Sequence, residues 1–135
     1  MNKKLIIYTD GGARGNPGPA GCGAAIYNEK KELIFSLSKF IGNTTNNQAE
    51  YRAVILGMEK AKELCAKDLD FFLDSELVVK QLRREYKIKN QDLASRFLEI
   101  HNLSQSFRNI SYTHVRREFN KEADKLANEA MDRGV

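Results

Sequence analysis

The sequence predicts an α/β domain, a mixed five-stranded sheet with helices packed on it, and three observations carry that expectation. Apolar residues recur at every second position in some segments and at helical spacing in others. The early strand-like segments follow one another through short polar turns, whereas later ones are separated by helical segments, so antiparallel and parallel neighbours coexist. The chain has 135 residues, 41% of them hydrophobic, enough for one well-buried core and too few for two. A single domain over residues 1–135 follows.

The first strand is KKLIIYTD, residues 3–10, β-branched and aromatic with polar residues only at its ends, the composition of a central strand buried on both faces. The stretch from Tyr8 to Gly21 holds five of the nine glycines and both prolines, and predicts a loop after Asp10. Residues 21–28 and 31–41 form a hairpin turning at Asn28-Glu29-Lys30. Its second arm alternates Leu33, Phe35 and Leu37 with Ser36 and Ser38, as at a sheet edge. Over residues 44–66 the period becomes helical: Tyr51, Val54, Ile55, Met58, Ala61 and Cys65 share a face, behind Thr and Asn capping candidates. Residues 69–74, LDFFLD, read as a short buried strand ending at Asp74. Ser75 then caps a helix over 76–85 with Val78, Val79 and Leu82 inward. A helix over 90–107, a strand over 109–115 and a helix over 120–132 complete the order β-β-β-α-β-α-α-β-α.

Lys plus Arg exceed Asp plus Glu by 22 to 18, a net charge of +4 that favours a polyanionic partner. Cys22 and Cys65 stand apart with no CxxC, and two histidines are too few for a Cys/His zinc site, so both thiols are expected free and buried. The apolar run near the N-terminus is too short for a signal-peptide core and no segment is long enough to span a bilayer. A cytoplasmic, membrane-free setting is the expectation.

The glycine-rich stretch does not predict a phosphate-binding loop, because a strand rather than a helix follows it and no Gly-Lys-Ser/Thr ending is present. The carboxylates point elsewhere. Asp10 and Asp74 each end a buried strand, so in parallel neighbours both emerge at one sheet edge, where α/β folds place their ligands. Glu50 aligns with Val54, Gly57 and Ala61, and Asp124 with Ala127 and Met131, so each borders a buried helical stripe. Taken singly, each acid has an ordinary structural reading as a dipole partner or turn starter. Four converging carboxylates repel one another unless a cation compensates, and an all-oxygen set suits Mg²⁺ or Mn²⁺. Two such ions roughly 4 Å apart can activate a water and stabilise the leaving oxygen in phosphodiester cleavage.

With TDGGARGNPGPAG, TTNNQAEYRAVILGME, LDSELVVKQL and HVRREFNKEADKLANEA in this order, the sequence resembles type 1 ribonuclease H, which cuts the RNA strand of RNA·DNA hybrids. The resemblance covers nearly the whole chain and implies a ribonuclease H-like sheet of strand order 3-2-1-4-5 with helices on both faces. It implies Asp10, Glu50, Asp74 and Asp124 as ligands of two Mg²⁺ ions, Mn²⁺ being a substitute, with Asp74 also orienting the attacking water. It implies contacts to the RNA strand and its 2′-hydroxyls from Asn16, Asn46 and Gln48, from the backbone of Gly11 and Gly12, and from Ser75 and Glu76. Thr45 and Asn90 match positions that hold a phosphate of the DNA strand. For Thr45 and Asn46 helix capping is the plain alternative, and both roles can coexist.

Three departures from the family stand out. No long basic insertion fits between Arg83 and Gln91, which leaves Lys80, Arg83, Arg84, Lys87 and Lys89 to supply hybrid affinity or simply a solvated face. The loop before the last acid lacks the family's mobile His, and Glu118 is the candidate replacement, His114 being a strand residue upstream. Glu76 stands where many relatives carry Gln. The expected activity is a monomeric, Mg²⁺-dependent endonuclease leaving 5′-phosphate and 3′-hydroxyl ends. The alternatives are a relative acting on double-stranded RNA or RNA–DNA junctions, and a hybrid-binding module without cleavage, against which the four intact acids speak.

Overall fold

The computed structural model describes residues 3–135. Its elements are β1 (Lys4–Ala13), β2 (Gly18–Tyr27), β3 (Leu33–Thr44), α1 (Asn46–Glu63), β4 (Asp68–Leu73), α2 (Glu76–Leu82), α3 (Gln91–Ser104), β5 (Asn109–His114) and α4 (Lys121–Arg133), with a 3₁₀ turn at Arg117–Phe119 before α4. The strands form one sheet in the order β3-β2-β1-β4-β5. β2 pairs antiparallel with β1 and β3, and β4 parallel with β1 and β5. The sheet is therefore mixed, in the order the resemblance implies.

Alternation along β1 divides its side chains between two helical layers. Leu5, Ile7 and Thr9 are buried beneath α1, whose Gly57 lets Ile7, Thr9 and Phe71 come against the helix backbone. Tyr51, Val54, Met58, Phe71, Val78, Val79 and Ile100 complete that core. The Tyr51 hydroxyl, fully buried, donates to Oε1 of Gln81, which pairs these two buried polar side chains across α1 and α2. On the other face Asp10 stands directly opposite Gly23. A Cβ on Gly23 would overlap the backbone of α4 at Ala123 and Ala127, so the bare strand is what seats α4 there.

The structure corrects three local expectations. β1 does not end at Asp10: Gly11, Gly12 and Ala13 continue it by pairing with Cys22, Gly21 and Ala20, and the turn proper begins at Arg14. Cys65 is exposed, because α1 stops at Glu63 and Cys65 turns left-handed (φ 58°), while Cys22 is buried with its thiol donating to Ala49 O. The second helix closes at Leu82, three residues early, with Arg84 also left-handed (φ 64°). Thr45 and Ser75 each accept a backbone N–H at a helix start, as expected, and Asn90 caps α3 in the same way. Among the described residues no helix is long and apolar enough to cross a membrane.

Candidate active site

The parallel register of β1 and β4 ends with Thr9 opposite Leu73, so Asp10, still paired with Gly23 of β2, and Asp74, the residue after β4, follow side by side where the two strands part. Glu50 reaches the same place from the first turns of α1, and Asp124 from the first turn of α4. Carboxylate oxygens of Asp10, Glu50 and Asp74 lie within 4.8 Å of one another. Asp124 faces Asp10 closely enough to raise its carboxyl. All four line an open cleft of about 780 Å³, with Gly11, Gly12, Asn46, Ser75 and Arg117 among its walls.

Asp10 is only 9% exposed. Burial, then the Asp74 charge and the nearness of Asp124, push its carboxyl up to about 8. Glu50 is pushed up to about 7, first by burial; a hydrogen bond from Ser75 and the Arg117 charge pull it down, and the Asp74 charge pushes it up. A cation placed among such carboxyls would offset both their burial and their mutual repulsion. Three converging carboxylate oxygens, with a fourth acid at hand and no sulfur or imidazole, fit a hard divalent ion.

A pH dependence follows. The folded, metal-free chain keeps protons on Asp10 and Glu50 up to about 8 and 7, whereas unfolded carboxyls release theirs near 4. The folded state thus binds more protons in that window, so this contribution to stability is full below pH 4 and lost as pH rises to about 8. In chelator, the melting temperature is expected to fall by about 5–10 °C between pH 5 and pH 8.5, and added Mg²⁺ should remove most of that fall. Thermal unfolding followed by circular dichroism measures it; a pH-independent melting curve in chelator contradicts the arrangement.

The other residues singled out in the sequence separate by place. Asn46 lines the acidic cleft, whereas Asn16, Thr45, Gln48 and Asn90 line a neighbouring groove of about 530 Å³. In each of these side chains the acceptor is already used. Asn46 Oδ1 accepts Ala13 N (2.8 Å) and Asn16 Oδ1 accepts Asn46 N (3.0 Å). Thr45 Oγ1 accepts Gln48 N (3.2 Å), and Asn90 Oδ1 accepts Asp92 N (2.8 Å) and Leu93 N (3.3 Å). Gln48 Oε1 accepts Arg96 Nε (3.0 Å). Because every partner is a donor, the amide orientations are set by chemistry, and NH₂ or O–H groups remain as the free ends. Asp92 shares the rim, so the groove is donor-rich with one carboxylate at its edge.

Ser75 caps α2 through Val78 N (3.3 Å) and also borders the acidic cleft. Glu76 is exposed, in neither hollow, and paired with Lys80 at 3.1 Å, which holds its carboxyl below the usual range. Glu118 lies 3.8 Å from Arg116 and lines a different groove, with Tyr8, Phe72 and Phe119. Of the basic run, Lys80 is held by Glu76, Arg83 is 3.7 Å from Glu85, and Arg84 bonds His101 at 2.9 Å.

Sequence reasoning missed four side chains here. Asn47 borders both the cleft and the groove, Asn128 and Arg117 line the cleft, and Arg96 reaches Gln48 from α3 across 48 positions. Asn47 lies inside the quoted TTNNQAE and its neighbours could have pointed to it. Arg96, Arg117 and Asn128 have no local signal, since nothing in their own segments reports what lies opposite.

The sequence profile of the family described as Reverse transcriptase-like matches residues 8–130. The bifunctional protein Rv2228c of Mycobacterium tuberculosis is 44% identical over 130 residues, 96% of this chain. The chain spans 36% of that relative's length. Ribonuclease H of Prosthecochloris aestuarii is 33% identical over 146 residues, with 97% of each chain covered. Among solved structures, LC11-RNase H1 in complex with an RNA/DNA hybrid superposes with a TM-score of 0.91 at 42% identity, covering 96% of this chain and 97% of that one.

Proposed function

Because the chain belongs to the ribonuclease H family, we propose that it is an endonuclease that hydrolyses the RNA strand of RNA·DNA hybrids and leaves 5′-phosphate and 3′-hydroxyl ends. The observation that carries this reading is the convergence of Asp10, Glu50 and Asp74 within 4.8 Å at one sheet edge, with Asp124 beside them. A hybrid-binding module has no use for buried carboxylates that cost stability. The complex of LC11-RNase H1 with an RNA/DNA hybrid supports the substrate class.

In this reading Asp10, Glu50, Asp74 and Asp124 hold two divalent ions, Mg²⁺ in the first place and Mn²⁺ as substitute. When bound, the ions supply Lewis-acid activation of a water and charge neutralisation at the leaving oxygen. The chain does the positioning. Its extended Gly11-Gly12 backbone gives the RNA strand close access beside Asp10, and Asp74 accepts a hydrogen bond from the attacking water. Asn16, Asn46 and Gln48 offer donors to the RNA strand and its 2′-hydroxyls, the group that distinguishes RNA from DNA. The free O–H of Thr45 and NH₂ of Asn90, near the Arg96 guanidinium, offer donors and charge to a phosphate of the DNA strand. Net charge +4 favours capture of the hybrid.

The test is cleavage of labelled RNA·DNA hybrid, double-stranded RNA, double-stranded DNA and single strands, each with Mg²⁺, Mn²⁺ or chelator. Hybrid cleavage that requires the ion supports the proposal, and binding without cleavage under every ion overturns it. We also propose that Glu118 assists proton transfer, from a loop that must turn toward the cleft to do so. Glu118→Ala is expected to slow turnover about 10-fold at unchanged Mn²⁺ affinity. Run beside it, Arg117→Ala reports what the positive charge already lining the cleft contributes, a role separate from proton transfer; a Glu118→Ala rate equal to wild type removes Glu118.

A further inference from the structure

Asn120 is the last residue before α4, where an asparagine ordinarily caps the helix through its side chain. It makes no such bond. Its side chain turns inward instead, 1% exposed, and Nδ2 donates to Thr9 O at 2.9 Å and to Asp74 Oδ2 at 3.3 Å. Both partners are acceptors, so only the NH₂ end can face them and the orientation of the amide is determined. Its own carbonyl meanwhile accepts Asp124 N at 3.1 Å, in the first turn of α4. One residue therefore touches the strand position before Asp10, the carboxylate of Asp74 and the backbone that carries Asp124.

Stability gives little reason for this amide. Asn120 Oδ1 is buried with no partner among the described residues, and a half-satisfied buried amide contributes less than an apolar side chain of its size. What it does supply is geometry. Holding Oδ2 of Asp74 leaves Oδ1 as the free oxygen, in the manner by which hydrogen-bonded neighbours orient a metal-binding carboxylate.

We infer that Asn120 is the positioning residue of the carboxylate cluster, its buried amide orienting Asp74 against Asp10 and thereby raising the affinity of the site for a divalent cation. The inference rests on the metal site proposed above and goes beyond it by assigning a residue that touches neither ion nor substrate. Asn120→Ala is expected to weaken Mn²⁺ binding by about 10–100-fold, measured by isothermal titration calorimetry well below the melting temperature. In the Asp74→Asn background the same substitution is expected to weaken binding no further. Wild-type protein that binds Mn²⁺ while Asn120→Ala binds it equally overturns the inference alone; wild-type protein that binds none overturns the metal site and the inference together. Should Asn120→Ala not fold, the wild-type chain still decides. The side-chain NH₂ resonances of Asn120 are expected to shift on Mg²⁺ addition with the midpoint of ion binding, and resonances that do not move overturn the inference.

Discussion

Asp10→Asn is expected to lower hybrid cleavage by about 10³-fold or more while raising the melting temperature of the metal-free chain. The two effects share one cause. Asp10 is the most deeply buried of the four acids, surrounded by Asp74, Asp124 and Glu50, and burial first, then these neighbours, push its carboxyl up to about 8. An amide of the same shape removes the charge that makes the cluster repel itself, so the fold gains. It also removes a ligand, and losing several kcal/mol of transition-state charge stabilisation corresponds to about three powers of ten in rate. Activity lost with stability gained marks a site whose geometry is held against its own electrostatics. Steady-state cleavage and thermal unfolding in chelator at pH 8 measure the pair. Asp10→Asn protein that still cleaves, or that melts earlier than wild type, contradicts the assignment.

The second large effect separates two adjacent glycines. A Cβ on Gly11 would lie inside the backbone of Ala49 and 2.6 Å from Glu50 N, atoms that cannot rotate away. Gly11→Ala is therefore expected to cost about 3 kcal/mol or more, because the strand or α1 must move. Since α1 carries Glu50, Mn²⁺ affinity should fall with it. At Gly12 the nearest atom is the flexible end of Met131 at 3.6 Å, an ordinary contact. Gly12→Ala should stay within about 0.5 kcal/mol of wild type. Urea unfolding of both variants tests the contrast, and equal midpoints would show that α1 does not sit against the strand there.

The same pair of glycines shows where sequence reading stops. Composition alone makes Gly11 and Gly12 look like loop, since glycine weakens strands and gathers in turns. They are strand because β2 lies alongside with Gly21 and Cys22 in register, and because α1 needs the space above Gly11. Cys65 departs from expectation for a related reason: its position fits the apolar stripe of α1, and only the end of the helix at Glu63 turns it to solvent. The strand order, by contrast, was legible through the ordered motifs, and the parallel pairing of β1 with β4 through the helix between them.

What the sequence by itself determined is the set of elements, the mixed pairing of the strands and four acids that each border a buried strand or helical stripe. Each of these rests on local spacing, which alternation and capping make readable. Only the tertiary structure decided which oxygens come within reach of one another, which amides have spent their acceptors, and that Arg96 meets Gln48, Arg117 lines the cleft and Asn120 meets Asp74. Asn120 stands 111 positions from Thr9 and 46 from Asp74, and an interaction across such distances leaves no period in the chain. Its amide faces inward because α4 packs onto the bare strand at Gly23, and that packing exists only once the sheet has formed.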